Sequence, residues 1–121
     1  MKPWIELTAM EKREAIALRL GFIGPIESRI VPGKMRWRYA EETYVCGKFP
    51  KDWPTDDGLA FTEVWPLILE ADTQAELRMC VRHGKPLLKA RACHLDFHAE
   101  TWADAVCRAA YDLLPVPKES E

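Results

Sequence analysis

The sequence predicts an α+β fold, in which a single, mostly antiparallel four-stranded sheet is packed by three helices in the order α-ββ-α-ββ-α. The length of 121 residues is enough for one hydrophobic core, and 48% hydrophobic and 30% charged residues are typical of a globular chain. Hydrophobic periodicity alternates between the 3.6-residue repeat of a helix and the two-residue repeat of a strand. We expect one domain over residues 1–115 and a frayed tail over residues 116–121.

The first predicted element is a helix that begins with a capping pair. Thr8 and Glu11 are three residues apart, the spacing at which each side chain accepts a hydrogen bond from the other residue's backbone N–H. Apolar residues then recur on one face, and Gly21 tolerates the left-handed conformation that commonly follows a helix end. This pattern predicts a helix over about residues 8–20.

A first pair of strands is predicted next. The segment KMRWRY, residues 34–39, alternates basic residues with apolar or aromatic ones, as a half-buried strand does. A short second strand over residues 43–46 would pair with it across a turn at residues 40–42. Residues 47–58 contain two prolines and two glycines, so we expect a loop there.

The second predicted helix follows this loop. Thr55, Asp56 and Asp57 supply the hydroxyl group and the negative charges that suit a helix N-terminus. Pro66 removes a helical hydrogen bond and clashes with the preceding turn, so we expect a kink or break near Trp65. The apolar positions of this helix are Leu59, Ala60, Val64, Leu67 and Ile68.

The clearest hairpin covers residues 75–92 and turns at Gly84. Its second strand alternates in a way that points Lys89 and Arg91 outward. We expect the inner, apolar face of the hairpin to carry Leu77, Met79, Val81, Leu88, Ala90 and Ala92.

The last predicted element is an amphipathic helix. Thr101 can cap its N-terminus, Asp104 lies in its first turn, and Pro115 and Pro117 end it. Its apolar stripe consists of Trp102, Ala105, Val106, Ala109, Ala110 and Leu113.

The charge balance excludes some classes of partner. A net charge of -2 gives no overall attraction to long nucleic acid or to an acidic membrane, so any binding of a polyanion has to be local. We find no apolar leader and no apolar run near 18 residues, and we expect neither a signal peptide nor a membrane span. Cys46, Cys80, Cys93 and Cys107 form no Cys-x-x-Cys pair, and we expect them to be reduced thiols.

Two stretches resemble the phage ABA-sandwich domain family, a group of small virus- or prophage-encoded proteins that is functionally uncharacterised as a family. One is WPTDDGLAFTEVW, residues 53–65, and the other is the final helix ETWADAVCRAAYDLL, residues 100–114. In that helix AVCRAA, residues 105–110, is similar to the A-I-C-x-A-A core of the family. The resemblance covers roughly the last two thirds of the chain. It implies an ABA-sandwich-like domain and transfers no catalytic residue.

The stretch CHLDFHAETW contains a candidate metal site. His94, Asp96 and His98 alternate, so on a strand they share one face, and imidazole and carboxylate groups are good ligands for zinc or iron. The competing interpretation is that the strand ends near His94 and that His98 lies in the loop before the last helix. Cys93 precedes His94 directly, but neighbouring strand residues point to opposite faces, so we expect no cysteine nucleophile and no other catalytic residue.

The strand at residues 34–39 contains a candidate ligand site. Arg36 and Arg38 could fork onto phosphates, and Trp37, Tyr39 or Tyr44 could stack on a base if a bulge or a sheet edge exposes them together. In the competing interpretation the aromatic rings lie in the core and the arginines are solvated. The sequence leaves both interpretations open.

Together, the resemblance and the missing catalytic motifs predict a phage or prophage accessory protein that acts by binding, without a cofactor, in the cytoplasm of a bacterial host. It would inhibit an antiviral defence system, and a homo-oligomer is compatible with this role. The partner is either a nucleotide-like small molecule or a host protein. A host protein would be engaged through an exposed patch of Trp53, Asp56, Asp57 and Trp65. The alternative function is a small metal-dependent hydrolase that uses His94, Asp96 and His98.

Overall fold

The structure is a computed structural model that describes residues 2–27, 32–39, 45 and 49–116. It confirms the α+β class, but the predicted single four-stranded sheet is wrong. Among the described residues there are two separate sheets, one of two strands and one of three.

The first helix, α1 (Ala9–Arg19), follows a short 3-10 turn at Trp4–Glu6. Its predicted capping pair is confirmed, because Glu11 N donates to Thr8 Oγ1 at 3.1 Å and Thr8 N donates to Glu11 Oε1 at 3.0 Å. Gly21 follows the helix with a φ of 99°, the left-handed conformation that favours glycine. The chain then enters the first sheet directly.

The two-stranded sheet pairs β1 (Phe22–Glu27) antiparallel with β2 (Met35–Tyr39). Strand β1 was not predicted because Pro25, followed by Pro32 and Gly33, makes this segment look like a loop. Gly24 is needed here, since a Cβ at this position would lie 2.7 Å from the Trp37 ring. The strand predicted at residues 43–46 lies outside the described residues except for Val45, whose backbone N donates to Trp37 O at 2.8 Å.

The second helical stretch has three consecutive parts, α2 (Asp57–Leu59), a π-helical segment (Ala60–Val64) and α3 (Trp65–Ala71). Asp56, rather than Thr55, is the N-cap, because its Oδ1 accepts a hydrogen bond from Leu59 N. Pro66 does not end the stretch. The helix type changes at Trp65 instead, which places the proline in the first turn of α3, where its missing N–H is tolerated.

The three-stranded antiparallel sheet contains β3 (Glu76–Arg82), β4 (Lys85–Ala92) and β5 (Leu95–Ala99), in that spatial order. The hairpin β3–β4 was predicted, whereas β5 was not. Its turn, at Cys93 and His94, has φ values of 51° and 64° without a glycine or asparagine to signal it. The stretch that suggested a metal site is therefore a turn followed by an edge strand.

The last helix, α4 (Trp102–Leu113), packs on the inner face of this sheet against β4 and β5. Its predicted cap is confirmed, because Asp104 N donates to Thr101 Oγ1 at 3.1 Å. Small side chains on both surfaces allow the helix to approach the strands closely. The buried residues of α4 and of these two strands include Ala90, Ala92, Phe97, Ala99, Ala103, Val106, Cys107 and Ala110.

The inner face is not covered along its whole width. Leu77, Met79 and Val81 point to the predicted inner side, but Met79 is 64% exposed and Val81 is 68% exposed. The expectation that these two side chains are buried is therefore wrong. Among the described helices, none is both long enough and apolar enough to cross a membrane.

Candidate functional site

The charged residues of the three-stranded sheet lie on one side of it, opposite α4. The register aligns Glu76 with Arg91 and Asp96, so these three side chains share a face, whereas neighbouring strand positions such as Ala90 point the other way. We call this side the outer face. It consists of Glu76, Arg78, Cys80, Arg82, Lys85, Leu87, Lys89, Arg91, Asp96 and His98.

The outer face is basic although the protein is acidic. Residues 76–98 contain five Lys and Arg against two Asp and Glu, a balance of +3, and all seven of these side chains belong to the outer face. Because the whole chain carries -2, the remaining residues carry -5. A local concentration of one sign of charge attracts oppositely charged partners even when the total charge does not. The total charge gives no attraction to a polyanion, but the outer face can attract one locally.

The centre of the outer face is apolar and half-buried. Cys80 and Leu87 lie directly opposite each other across β3 and β4. Basic pairs flank them along the strands, with Arg78 opposite Lys89 on one side and Arg82 opposite Lys85 on the other. An apolar centre within a polar rim is the usual anatomy of a protein–protein interface.

The ion pairs of Arg78 and Arg91 on this face are exposed, whereas the Lys89 side chain is only 19% exposed. Glu76 Oε1 lies 2.9 Å from Arg78 Nε, and Asp96 lies 3.9 Å from both Lys89 Nζ and Arg91 Nε. Pairs between exposed side chains contribute about 0–1 kcal/mol each. The exposed Arg78 and Arg91 side chains can therefore turn toward a partner at little cost.

A cleft of about 630 Å³ adjoins the outer face at the end of the sheet where β4 turns into β5. Asp72, which follows α3, holds this turn in place, because Oδ2 accepts from Cys93 N at 2.8 Å and Oδ1 accepts from Gln74 N at 3.0 Å. These hydrogen bonds, chiefly the one from Cys93, lower the pKa of Asp72 below its ordinary 3.8. The cleft is lined by Ala71, Asp72, Gln74, Glu76, Arg91, Cys93 and His94.

Substitution of Asp72 by asparagine is expected to loosen the Cys93–His94 turn. The carboxylate accepts two backbone hydrogen bonds with two oxygens, whereas an amide has one oxygen to offer. We expect the Cys93 or Gln74 amide to exchange with solvent faster in Asp72→Asn, as measured by NMR. The Gly84 amide in the other hairpin turn is the control and should not change. Equal exchange at both Cys93 and Gln74 in the two proteins would contradict this role.

The same carboxylate predicts a pH dependence. Folding lowers the pKa of Asp72, so its contribution to stability is fully present above the ordinary value of 3.8 and is lost as the pH falls through the lower folded value. Wild-type stability should therefore fall more than that of Asp72→Asn below this pH. Denaturant unfolding of both proteins across the acidic range measures the difference.

A second cleft, of about 450 Å³, lies between the start of α1 and the start of α4. Three of its charged side chains, Lys12, Asp52 and Asp104, are already engaged. Asp52 Oδ2 lies 2.9 Å from Arg13 Nη2, Asp104 Oδ1 accepts from Trp4 Nε1 at 2.8 Å, and Lys12 Nζ lies 5.2 Å from the centre of the Trp4 ring. These contacts fix the N-terminal segment to the domain, which explains the cluster without a ligand.

The predicted ligand site on β2 is not assembled as expected. Trp37 is 5% exposed and packs on Phe49 with ring centres 5.5 Å apart, so its indole cannot stack on a base. Tyr39 is half exposed, but strand alternation places it on the side of Trp37, whereas Arg36 and Arg38 point to the other side. Tyr44 lies outside the described residues. The part of the predicted site that remains is the pair Arg36 and Arg38. In this pair, Arg38 Nε is buried and donates no hydrogen bond.

The predicted partner patch is mostly structural. Trp53 is fully buried rather than exposed, and Trp65 is half-buried. Asp56 caps α2, and Asp57 Oδ1 accepts from Ala103 N at 2.9 Å, which joins the second helical stretch to the start of α4. The acidic residues therefore connect helices, and the proposed exposed aromatic centre does not exist.

The candidate metal ligands do not converge. His94 lies in the turn, while Asp96 and His98 lie on the outer face, where Asp96 is near two cations. Among the described residues, no group of three or more His, Cys, Asp or Glu side chains could hold a metal ion. The hydrolase alternative therefore lacks its set of ligands in the described part of the chain.

The described cysteines Cys80, Cys93 and Cys107 are free thiols. Burial raises the pKa of the Cys107 thiol far above its ordinary 9.0, so this side chain behaves as a small apolar core residue. Cys93 is exposed in the β4–β5 turn. Cys46 lies outside the described residues.

From the sequence, Lys89 and Arg91 were predicted to point outward, but the outer face as a whole was not recognised, although the signal was present. Five Lys and Arg lie within residues 78–91, and a two-residue turn at His83 and Gly84 assigns every one of them to the same face. Counting charge for each face, instead of for the whole chain, would have found it.

No protein-family model matches the chain, and the comparisons with curated proteins and with solved structures gave no match.

Proposed function

We propose that the protein acts by binding and that its outer face engages an acidic surface of a host protein. The observation that carries this proposal is the concentration of five cations around a half-buried apolar centre on one face of an otherwise acidic domain. Opposite charge at the rim speeds association and selects the partner, and the apolar centre contributes affinity.

The shape and the chemistry of the face favour a protein partner over a nucleotide. Small-molecule sites are concave, and they enclose most of the ligand, whereas these cations spread along two strands, β3 and β4, of an open sheet. Binding of single-stranded nucleic acid or of a base also relies on aromatic stacking. Of the residues that β3, β4 and β5 place on the outer face, none is Phe, Tyr or Trp.

The biological setting that we propose is that of a phage or prophage accessory protein. Its support is the resemblance of residues 53–65 and 100–114 to the phage ABA-sandwich family. A small domain that covers an acidic surface of a host defence protein can inhibit it by occlusion alone. This mechanism requires no cofactor and no catalytic residue, and it places the protein in the cytoplasm of the host.

Charge reversal at the hairpin end is expected to weaken partner binding by about tenfold or more, because rim charges of the wrong sign slow association and repel an acidic surface. Arg82→Glu with Lys85→Glu reverses two exposed cations of the outer face. Lys2→Glu with Lys34→Glu reverses two exposed cations elsewhere and changes the net charge equally. Each protein is used to capture partners from bacterial lysate, and the captured proteins are quantified by mass spectrometry.

We expect wild type and the control double variant to capture the same acidic host protein, and the Arg82 and Lys85 double variant to lose it. Added salt should release the partner, since screening weakens exposed charge contacts, and nuclease treatment should leave it bound. Equal capture by both double variants contradicts the proposed face. Release by nuclease contradicts a protein partner and indicates a nucleic acid instead.

A further inference from the structure

The two edges of the three-stranded sheet differ in how open they are to pairing with another strand. At β5, the exposed edge is short, and Arg108 Nη1 donates to His98 O at 3.2 Å. Strand β3 contains no proline, and all seven of its residues from Glu76 to Arg82 pair with β4 without a bulge. No described strand lies on the other side of β3. A long, regular edge of this kind can accept another strand, and natural proteins usually block it.

The backbone groups that β3 offers to a further strand follow from its turn. Arg82 and Lys85 flank the two-residue turn, so they form a hydrogen-bonded pair of the β3–β4 ladder. Such pairs alternate with pairs that do not bond each other, so the N–H and C=O groups of Leu77, Met79 and Val81 point away from β4. Two of these three residues are also the most exposed apolar side chains of the sheet.

A second copy of the same strand fits this edge. With two antiparallel β3 strands centred on Met79, Met79 faces Met79 of the second copy and Leu77 faces Val81 of the second copy. Every outward N–H and C=O then finds a partner, which gives about six new hydrogen bonds. In the same register Glu76 faces Arg82 of the second copy twice, so opposite charges meet at both ends of the interface.

The neighbouring registers that satisfy the same hydrogen-bonding groups are disfavoured by charge. Centring the pair on Cys80 places Arg78 opposite Arg82 of the second copy at both ends, and centring it on Arg78 places that arginine opposite itself. Like charges directly opposite each other destabilise a strand pair. Charge complementarity therefore selects the register centred on Met79.

We propose that the protein forms a symmetric homodimer through antiparallel pairing of β3 with β3 of a second copy, in the register centred on Met79. The two three-stranded sheets then become one continuous six-stranded sheet. Their basic outer faces join on one side, and the exposed Met79 and Val81 side chains of both copies come together on the other. Because a single strand pair is a small interface, dimerisation depends on concentration.

The first test is sedimentation velocity over a concentration series. Met79→Pro removes an outward N–H of β3, whereas Asp96→Pro removes an outward N–H of β5 at the other edge. Wild type and Asp96→Pro should dimerise as concentration rises, and Met79→Pro should stay monomeric. Circular dichroism checks that each variant is folded. A wild type that stays monomeric throughout, or a folded Met79→Pro that dimerises like wild type, overturns the proposal.

The second test addresses the register and does not depend on any proline variant. In Glu76→Lys, two lysines face two arginines, and in Arg82→Glu, two glutamates face two glutamates, so each variant alone should dimerise about tenfold more weakly than wild type. An equimolar mixture of the two variants restores opposite charges at both ends and should form the heterodimer at wild-type concentrations. No weakening in the single variants, or no recovery in the mixture, overturns this register.

Discussion

Replacement of Trp53 by alanine is expected to destabilise the protein by about 3–5 kcal/mol, because it removes a large, fully buried side chain and leaves a cavity. The Trp53 ring contacts Phe49 at 5.7 Å and Phe22 of β1 at 6.2 Å between ring centres, and its Nε1 donates to Glu63 Oε1 at 3.4 Å in the second helical stretch. Trp53 therefore joins the two-stranded sheet to the helices.

Equilibrium unfolding in urea measures this loss, and Trp65→Ala is the matched control. Trp65 is half-buried, so the same truncation should cost less, about 1–2 kcal/mol. Losses of equal size at the two tryptophans would show that Trp53 does not occupy the core position described here.

Replacement of Arg19 by methionine is expected to cost about 2–4 kcal/mol, because methionine keeps the volume of the side chain but loses its donors and its charge. Arg19 is 9% exposed, and its Nε donates to Tyr111 O at 3.0 Å. Tyr111 lies in the last turn of α4, and the residue four positions later is Pro115, which has no N–H to offer. Arg19 supplies the missing donor and also stacks on the Tyr111 ring at 4.3 Å.

The control for this variant is Arg13→Met on the same helix. Arg13 pairs with Asp52 at 2.9 Å, but both side chains are about one third exposed, and such a pair contributes about 0–1 kcal/mol. Arg19→Met should therefore unfold at a clearly lower temperature or urea concentration than Arg13→Met. Similar stabilities for the two would contradict the account of Arg19 as the buried link between α1 and α4.

Local sequence patterns were sufficient to predict where the first and last helices begin. The pair Thr8 and Glu11 and the residue Thr101 cap their helices as predicted, since a cap depends on residues within one turn. The two missed strands depended on backbone conformations without a sequence signal. Strand β1 contains Gly24 because Trp37 approaches it closely, and β5 follows a turn made by Cys93 and His94 with positive φ.

The candidate sites were harder to predict, because exposure depends on packing between distant segments. From the sequence alone, Trp53 and Trp37 could both bind a partner. Their burial follows from the packing of Phe22 against Trp53 and of Phe49 against Trp37, which brings distant segments together. The outer face was missed for the opposite reason. Its five cations lie on β3 and β4 of the predicted hairpin, so their common face follows from local strand pairing, but the charge of that face was not counted.

A lysine-reactivity footprint tests whether the outer face binds the partner. The protein alone and the complex captured from lysate are acetylated briefly, and the reactivity of each lysine is read by mass spectrometry. We expect Lys85 and Lys89 to lose reactivity in the complex, whereas Lys2 and Lys34 should react equally in both samples. Protection of Lys2 or Lys34 with unchanged reactivity at Lys85 and Lys89 would contradict this expectation.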